Sequence, residues 1–183
     1  MYRTTFINEN QEKNIKETAL GYLESRRDEL KVLFCNPTIR EVYNELSELR
    51  KDILEEVKEN KLSQEDEFYD IANDDLREKL YTAKAEYGLS FDFIGELEED
   101  EDGEIQWKDD ECYYRFQISY GGPTEEVRFH HDGTIEFVYL NWFCGCGIDV
   151  TQDEVFQAVK WDFEEIGMID FQKEYTKELE NAY

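Results

Sequence analysis

The segment YYRFQISYGGPTEEVRFHHDGTIEFVYLNWF, which runs from Tyr113 to Phe143, decides the fold class of this chain. Apolar and aromatic residues alternate in it with polar ones, as they do in strands that bury one face. Two turn signals interrupt the alternation, Gly121-Gly122-Pro123 and Asp132-Gly133. The second is typical of a β-hairpin connection. The segment therefore predicts consecutive antiparallel strands, the last of which extends from Ile135 to Phe143.

A further strand pair is predicted before this segment, on either side of Asp102-Gly103. Its apolar residues are Phe91, Phe93, Ile94, Ile105 and Trp107. After the segment, Thr151 and Glu154 have the spacing of a capping box, which predicts a helix start. The apolar residues at helical spacing that follow are Val155, Phe156, Val159, Phe163 and Ile166, then Phe171, Tyr175 and Leu179. We expect a meander of four or five strands and one or two C-terminal helices.

The N-terminal half is predicted to contain two or three helices. The first runs from about Glu9 to Phe34 and ends before Asn36-Pro37. Thr38 and Glu41 form another capping box and predict the start of a second helix.

The second helix carries an apolar stripe that is close to a coiled-coil seam. The stripe consists of Ile39, Val42, Leu46, Leu49, Ile53 and Val57. A third helical stretch is expected from Ser63 to Tyr87, with Gly88 as its stop. These helices form either a self-contained hairpin or bundle, or a dimerisation element that pairs the stripe with a second copy.

Helices followed by a sheet and more helices predict an α+β fold. We expect a helical region over residues 1–88 and an acidic sheet-and-helix domain over residues 89–183. A hydrophobic content of 40% and an aromatic content of 15% are sufficient for a packed core.

The charge of the chain is unevenly distributed. Its formal net charge is −26, of which residues 1–90 contribute −7 and residues 91–183 contribute −19. Double-stranded DNA carries one negative charge per roughly 1.7 Å of its axis. A chain with this charge is repelled by nucleic acid, so direct binding to DNA or RNA is excluded as a function.

The acidity is densest between Glu96 and Glu111, where ten of 16 residues are acidic and Lys108 is the one basic residue. The acidic residues are Glu96, Glu98, Glu99, Asp100, Glu101, Asp102, Glu104, Asp109, Asp110 and Glu111. This segment is interpreted either as a solvated hairpin tip or as a surface that binds a basic groove on a protein partner.

Two stretches of the sequence have some features of a metal site. Around Gly103 the residues Glu98, Asp100, Asp102, Glu104 and Asp109 have a spacing similar to that of a calcium loop, but strand-like flanks favour a hairpin. A zinc site would combine Cys144 and Cys146 with Cys112 and His130, yet zinc ligands are usually spaced C-x₂₋₄-C rather than C-x-C. The stretch Cys144-Gly145-Cys146-Gly147 is better suited to a tight strand-to-helix connection. We predict no metal and no cofactor.

No catalytic motif is present. The chain has no nucleophile elbow, P-loop or dinucleotide fingerprint. His130 and His131 are adjacent on a predicted strand and point to opposite faces, so at most one can serve a given site. Tyr139, Trp142 and Phe143 are expected in the core of the sheet or at a partner surface. The sequence therefore predicts a protein that is not an enzyme.

The cellular location is also predicted. The sequence has no run of roughly 18–20 apolar residues that could span a membrane, and its N-terminus does not have the pattern of a secretory signal. The four cysteines have no obvious pairing and indicate free thiols in a reducing cytoplasm.

The profile as a whole resembles the acidic inhibitors of host defence that phages and mobile elements encode, namely anti-restriction proteins and DNA-mimicking anti-CRISPR proteins. The shared features are small size, a strong negative charge in one region, many aromatic residues and no enzyme motif. The segments Tyr114–Pro123 and Asn141–Phe143 also resemble part of short mobile-element proteins.

This resemblance implies a function. The chain would occupy the basic DNA or RNA groove of a nuclease, a CRISPR effector or a restriction enzyme, in the cytoplasm of the host cell. The alternatives are an acidic adaptor that forms homodimers through its helical half, and a small metal-binding protein.

Overall fold

The computed structural model describes residues 4–6, 12–70, 74–99, 105–108, 112–142 and 144–182. The chain divides into two compact units, a helical unit, Leu23–Tyr87, and a sheet unit, Met1–Tyr22 with Gly88–Tyr183. The first 22 residues thus belong with the sheet, and not with the helical region to which the sequence pattern assigned them. The reason is that strand β1, Thr4–Phe6, pairs with strand β8, Cys144–Asp149.

The sheet unit is built on six antiparallel strands in the order β1-β8-β7-β6-β5-β2. The four remaining strands of this sheet are β2, Ser90–Ile94, β5, Tyr113–Ser119, β6, Thr124–His130, and β7, Ile135–Asn141. The α+β class is confirmed, with one strand more than the four or five expected.

Three predictions about the strands are corrected. Strand β2 does not pair with the strand after Asp102-Gly103, because it pairs with β5, where Phe91 lies opposite Phe116. A separate two-stranded hairpin forms from β3, Leu97–Glu99, and β4, Ile105–Trp107. The predicted strand ending at Phe143 ends at Asn141, and the Cys144–Gly147 stretch is part of β8 and not a turn.

Aromatic side chains fill the core on one face of the sheet. Phe163 of helix α5, Glu154–Glu165, packs edge-on against Phe91 and Phe116 with ring centroids 4.8 and 5.1 Å apart. Tyr22 of helix α1, Glu12–Phe34, stacks on Tyr139 of β7 at 5.0 Å. Because paired residues of adjacent strands project to the same side, these contacts define one covered face.

The C-terminal helices are α5 and α6, Phe171–Ala182. The N-cap of α5 is Asp153, whose carboxylate accepts a hydrogen bond from Val155 N, and not Thr151 as the capping box predicted. Thr151 has another role, since its hydroxyl oxygen accepts a hydrogen bond from Ile135 N at 2.9 Å.

The helical unit contains the C-terminal part of α1 with α2, Ile39–Glu45, α3, Arg50–Asn60, and α4, Asp74–Glu86. The capping box of Thr38 and Glu41 is confirmed. The predicted second helix is broken after Glu45. There the guanidinium of Arg50 donates to the carbonyl oxygens of Tyr43 and Asn44, both at 2.7 Å. These bonds supply partners for carbonyl groups that the end of α2 leaves without an intrahelical donor.

The predicted apolar stripe lies in the core of the helical unit. Four of its members, Ile39, Val42, Leu49 and Ile53, are at most 2% exposed. They pack with Val32, Leu33, Phe68, Leu76 and Leu80. The third helix begins at Asp74 and not near Ser63, because residues 68–70 form a separate 3-10 turn. These four members of the stripe are therefore buried within one chain, as expected for a self-contained bundle.

Within the described ranges, no helix has the length and apolarity needed to cross a membrane.

Candidate protein-interaction surfaces

The acidic segment has a hairpin as its base. Leu97 pairs with Trp107 and Glu99 with Ile105 in the β3–β4 ladder. Below it, Lys108 N donates to Glu96 O at 3.0 Å, and Lys108 Nζ lies 3.1 Å from Glu96 Oε2. The predicted site residues Asp100, Glu101, Asp102, Glu104, Asp109, Asp110 and Glu111 lie outside the described residues, as does most of the calcium spacing.

Two acidic side chains at the described base of this hairpin are open to solvent. Glu96 and Glu98 are both exposed. Lys108 is the one basic residue of the segment, and its ammonium group is already engaged by Glu96. One basic residue cannot balance ten acidic ones, so the formal net charge of the segment is −9.

The candidate zinc ligands are not brought together. Cys146 lies in a row of paired residues that continues through Tyr139 and Glu125 to Ser119. Cys112 is seven residues from Ser119, roughly 23 Å along a strand. Among the residues that the structure places, no three His, Cys, Asp or Glu side chains form a group that could hold a metal. All four cysteines are free thiols, and burial raises the pKa of Cys146 to about 11.

The second face of the sheet carries ion pairs between neighbouring strands. Arg115 Nη2 of β5 lies 2.9 Å from Asp92 Oδ2 of β2. The hydrogen bond from Arg115, followed by one from Ser90, lowers the pKa of Asp92. Among the described residues, the buried Arg115 Nε has no hydrogen-bond partner.

A second group of charges lies on β6 and β7. Arg128 Nε donates to Glu126 Oε1 at 2.7 Å, while Arg128 Nη1 and His130 Nε2 lie 4.0 and 3.9 Å from Glu136 Oε2. Thr5 Oγ1 donates to Glu136 Oε1 at 2.9 Å. Burial alone would raise the pKa of Glu136, but His130, Thr5 and Arg128 together lower it.

This face stabilises the sheet and is poorly suited to binding an external anion, because its guanidinium groups already face carboxylates. Sequence reasoning missed it. The charged residues stand at alternate positions of their strands, which the sequence shows. Only the strand register reveals that five of them form one row across the sheet: Asp92, Arg115, Arg128, Glu136 and Asp149.

A cleft of about 390 Å³ lies at the end of the sheet where β5 joins β6 and β7 joins β8. Its lining consists of Tyr120, Gly121, Gly122, Thr124, Leu140 and Trp142. Tyr120 is 79% exposed and Trp142 is 85% exposed. Of the three aromatic residues expected in the core or at a partner surface, Tyr139 is in the core, Trp142 is on this surface and Phe143 lies outside the described residues.

A larger cleft of about 670 Å³ belongs to the helical unit, between α3 and α4. Lys79, which lines it, pairs with Asp52 and Asp75 at 2.5 and 3.1 Å. Glu78 and Glu86 also line this cleft. The helical unit therefore carries an acidic surface of its own, with which the sheet unit must be compared in any binding experiment.

No protein family, curated protein or solved structure matches this chain. Its function must therefore be inferred from its own charge and surfaces.

Proposed function

We propose that this protein is a non-enzymatic inhibitor of a nucleic-acid-binding host-defence nuclease, a CRISPR effector or a restriction enzyme. Its acidic sheet unit would occupy the basic groove that normally holds DNA or RNA. The observation that carries the proposal is the charge of this unit, which has 9 basic and 28 acidic side chains and hence 19 surplus carboxylates.

The ion pairs within the unit do not consume these surplus carboxylates, which therefore stay available to an external partner. Five basic side chains of the unit already face acids: Lys108 with Glu96, Arg115 with Asp92, Arg128 with Glu126, Lys160 with Glu164, and Lys177 with Glu174. Even if every basic residue neutralised one acid, the surplus would remain.

The exposure of the acids also supports the proposal. Acidic residues of this unit that are exposed are Glu17, Glu96, Glu98, Asp132, Glu154, Glu164, Glu165 and Asp170. Carboxylates fixed on a folded body repel one another and gain free energy when a cationic groove approaches. A field of this kind steers association and raises the association rate by about 10–1,000-fold.

A nucleic-acid groove is the partner that such a surface fits best. Proteins bind nucleic acid through clustered Lys and Arg side chains that neutralise phosphates. A rigid acidic body can place carboxylates at phosphate positions while losing less conformational entropy than a disordered tail. The proposal assigns no catalytic step to this chain and requires no cofactor.

The test is affinity capture from a host lysate at 50 mM and 500 mM salt, followed by mass spectrometry and competition with DNA or guide RNA. We expect a nuclease that is captured at low salt, released at high salt and displaced by its nucleic acid. Binding should weaken strongly when Glu98, Glu99, Asp100, Glu101 and Asp102 are neutralised together to Gln and Asn.

A matched control is available in the helical unit. Neutralising five of its exposed acids removes the same charge at another surface: Glu45, Glu55, Glu59, Glu78 and Glu86. Equal loss of binding in both variants would show that only bulk charge matters, and salt-insensitive capture would argue against mimicry. A stable dimer that captures no nucleic-acid-binding protein would favour the adaptor alternative.

A further inference from the structure

Two exposed aromatic side chains face a common cleft in the sheet unit, at a site distinct from the acidic hairpin. Tyr120 follows β5, and Trp142 begins the two-residue connection between the paired residues Asn141 and Cys144. A Cβ built on Gly122 would lie 3.6 Å from Trp142 Nε1, so the indole lies against the Gly121-Gly122 turn.

The exposure of these rings is not explained by packing. A large aromatic side chain normally buries most of its surface, whereas Trp142 and Tyr120 leave 85% and 79% open. Within the described part of the chain, neither ring makes an aromatic or cation–π contact. Stacking of a guanidinium on a ring does occur elsewhere in this unit, where Arg128 lies over Tyr113 at 4.8 Å. Trp142 also has a φ of 53°, a left-handed conformation that bulky residues rarely adopt.

A tryptophan that is both strained and exposed indicates an interaction site. Tryptophan and tyrosine are enriched at the energetic centres of protein interfaces, where a ring fills or forms a pocket. Strain at a single residue persists when the surrounding structure enforces it, and it clusters at functional positions. The glycine floor of the cleft lets a ligand approach both the backbone and the indole.

We propose that the Tyr120–Trp142 cleft binds an arginine side chain in a basic segment of a protein partner. Exposed aromatic faces stack with arginine or with nucleic-acid bases. The surplus of 19 carboxylates on the same unit decides between these ligands, because a base would bring its phosphates with it. Arginine is preferred over lysine because its planar guanidinium stacks on rings.

This inference rests on the proposed function and deepens it, because it names an anchor that would fix the orientation of the basic partner on the acidic sheet unit. Carboxylates attract a cationic partner over long distances but define its position poorly. A stacked guanidinium, in contrast, requires a particular orientation. The two surfaces should therefore contribute differently to binding, and they can be tested separately.

The experiment measures binding of fluorescein-labelled nona-arginine and nona-lysine to the full chain by fluorescence anisotropy at fixed salt. Trp142→Gly and, independently, Tyr120→Ala should each weaken nona-arginine binding by about tenfold or more, and nona-lysine binding by clearly less. Glycine accepts a positive φ, so Trp142→Gly removes the ring without adding backbone strain. Trp161→Ala is the control, because Trp161 is 63% exposed on α5 and does not line the cleft.

Several results would overturn the inference. They are no binding of nona-arginine by the unaltered protein, equal weakening by Trp142→Gly and Trp161→Ala, or equal weakening for both peptides. A dimer that dissociates on Trp142→Gly would assign the cleft to a second copy. Tighter binding of a single-stranded oligonucleotide than of nona-arginine would assign it to nucleic acid.

The variant of the acidic hairpin separates this inference from the proposed function. If that variant loses the captured nuclease while Trp142→Gly retains both the nuclease and nona-arginine, the cleft fails and the mimicry proposal stands. If Trp142→Gly loses binding of nona-arginine and the variant of the acidic hairpin keeps it, the cleft is supported. The acidic surface that attracts the peptide then lies outside the hairpin.

Discussion

Glu136 of β7 occupies the space above Gly147 of β8. A Cβ built on Gly147 would lie 1.9 Å from Glu136 Oε1 and 2.7 Å from Thr5 Oγ1. Contacts this short do not occur between real side chains, so the glycine makes room for the carboxylate and its hydrogen bond to Thr5. Gly147, which the sequence pattern placed in a turn, therefore provides the space for the Glu136 carboxylate within the sheet.

Gly147→Ala should destabilise the fold by about 1–3 kcal/mol, the range for overpacking a well-packed site. The added methyl group displaces the Glu136 carboxylate from Thr5. Urea unfolding of the single variants and of the double variant with Glu136→Ser measures this coupling. We expect the double variant to be more stable than the sum of the two single effects predicts, and strict additivity would contradict the proposed clash.

Glu136→Gln should lower the free energy of unfolding by about 1–2 kcal/mol at pH 7. The pKa of Glu136 is lowered in the folded protein, so its carboxylate adds stability above the ordinary glutamate pKa of about 4.3. That stability is lost as the pH falls through the lowered folded value. Arg128, His130 and Asp149 face this group across the strands.

The measurement is urea unfolding of both proteins between pH 7 and pH 3.5. The difference between them should narrow steadily toward the acid end. Glu165→Gln, at an exposed position of α5, is the control and should show a small difference at every pH. A difference for Glu136→Gln that does not change with pH would contradict the ionic role of this carboxylate.

Asp153→Ala should destabilise the protein by about 1 kcal/mol, since it removes the N-cap of α5. Asp153→Ser keeps a side-chain acceptor and should retain most of the stability. Thermal unfolding of the three proteins tests this assignment. If the Ala and Ser variants lose the same stability, Asp153 does not act as a cap.

Trp142→Gly should leave the protein at least as stable as before, with a gain of about 0.5 kcal/mol. A left-handed conformation costs a residue with a Cβ roughly 1–2 kcal/mol, and the flexibility of glycine in the unfolded chain offsets part of the relief. Trp142→Ala should not gain stability, because alanine keeps the Cβ. Chemical denaturation of both variants provides the comparison, and a clear loss in the Gly variant would show that the indole is needed for packing.

The elements predicted well from sequence are those whose signals are local. Thr38 and Glu41 start a helix wherever that helix packs, and Asp132-Gly133 connects β6 and β7 because the turn chemistry is contained in the dipeptide. The elements predicted badly depend on distant residues. Thr151 has the spacing of a cap, but its hydroxyl oxygen accepts a hydrogen bond from Ile135 N of the distant strand β7.

The candidate site divides in the same way. The concentration of acids between Glu96 and Glu111 is visible in the sequence, and so is the presence of only one basic residue among them, Lys108. That Tyr120 and Trp142 line one cleft is not visible, because 21 residues separate them in the sequence. Only the alignment of β5 with β6 and β7 brings the β5–β6 and β7–β8 turns to the same end of the sheet.

By itself, the sequence determined the α+β class, the alternating strands and the acidic character of the chain, since these follow from composition and from short-range periodicity. Only the tertiary structure decided that Cys144–Gly147 is a strand, that Trp142 is exposed and that Glu136 is paired. The physical reason is that each of these depends on which strands are neighbours and in what register. Register is set by the packing of the whole sheet, and a shift of one residue would move every side chain to the opposite face.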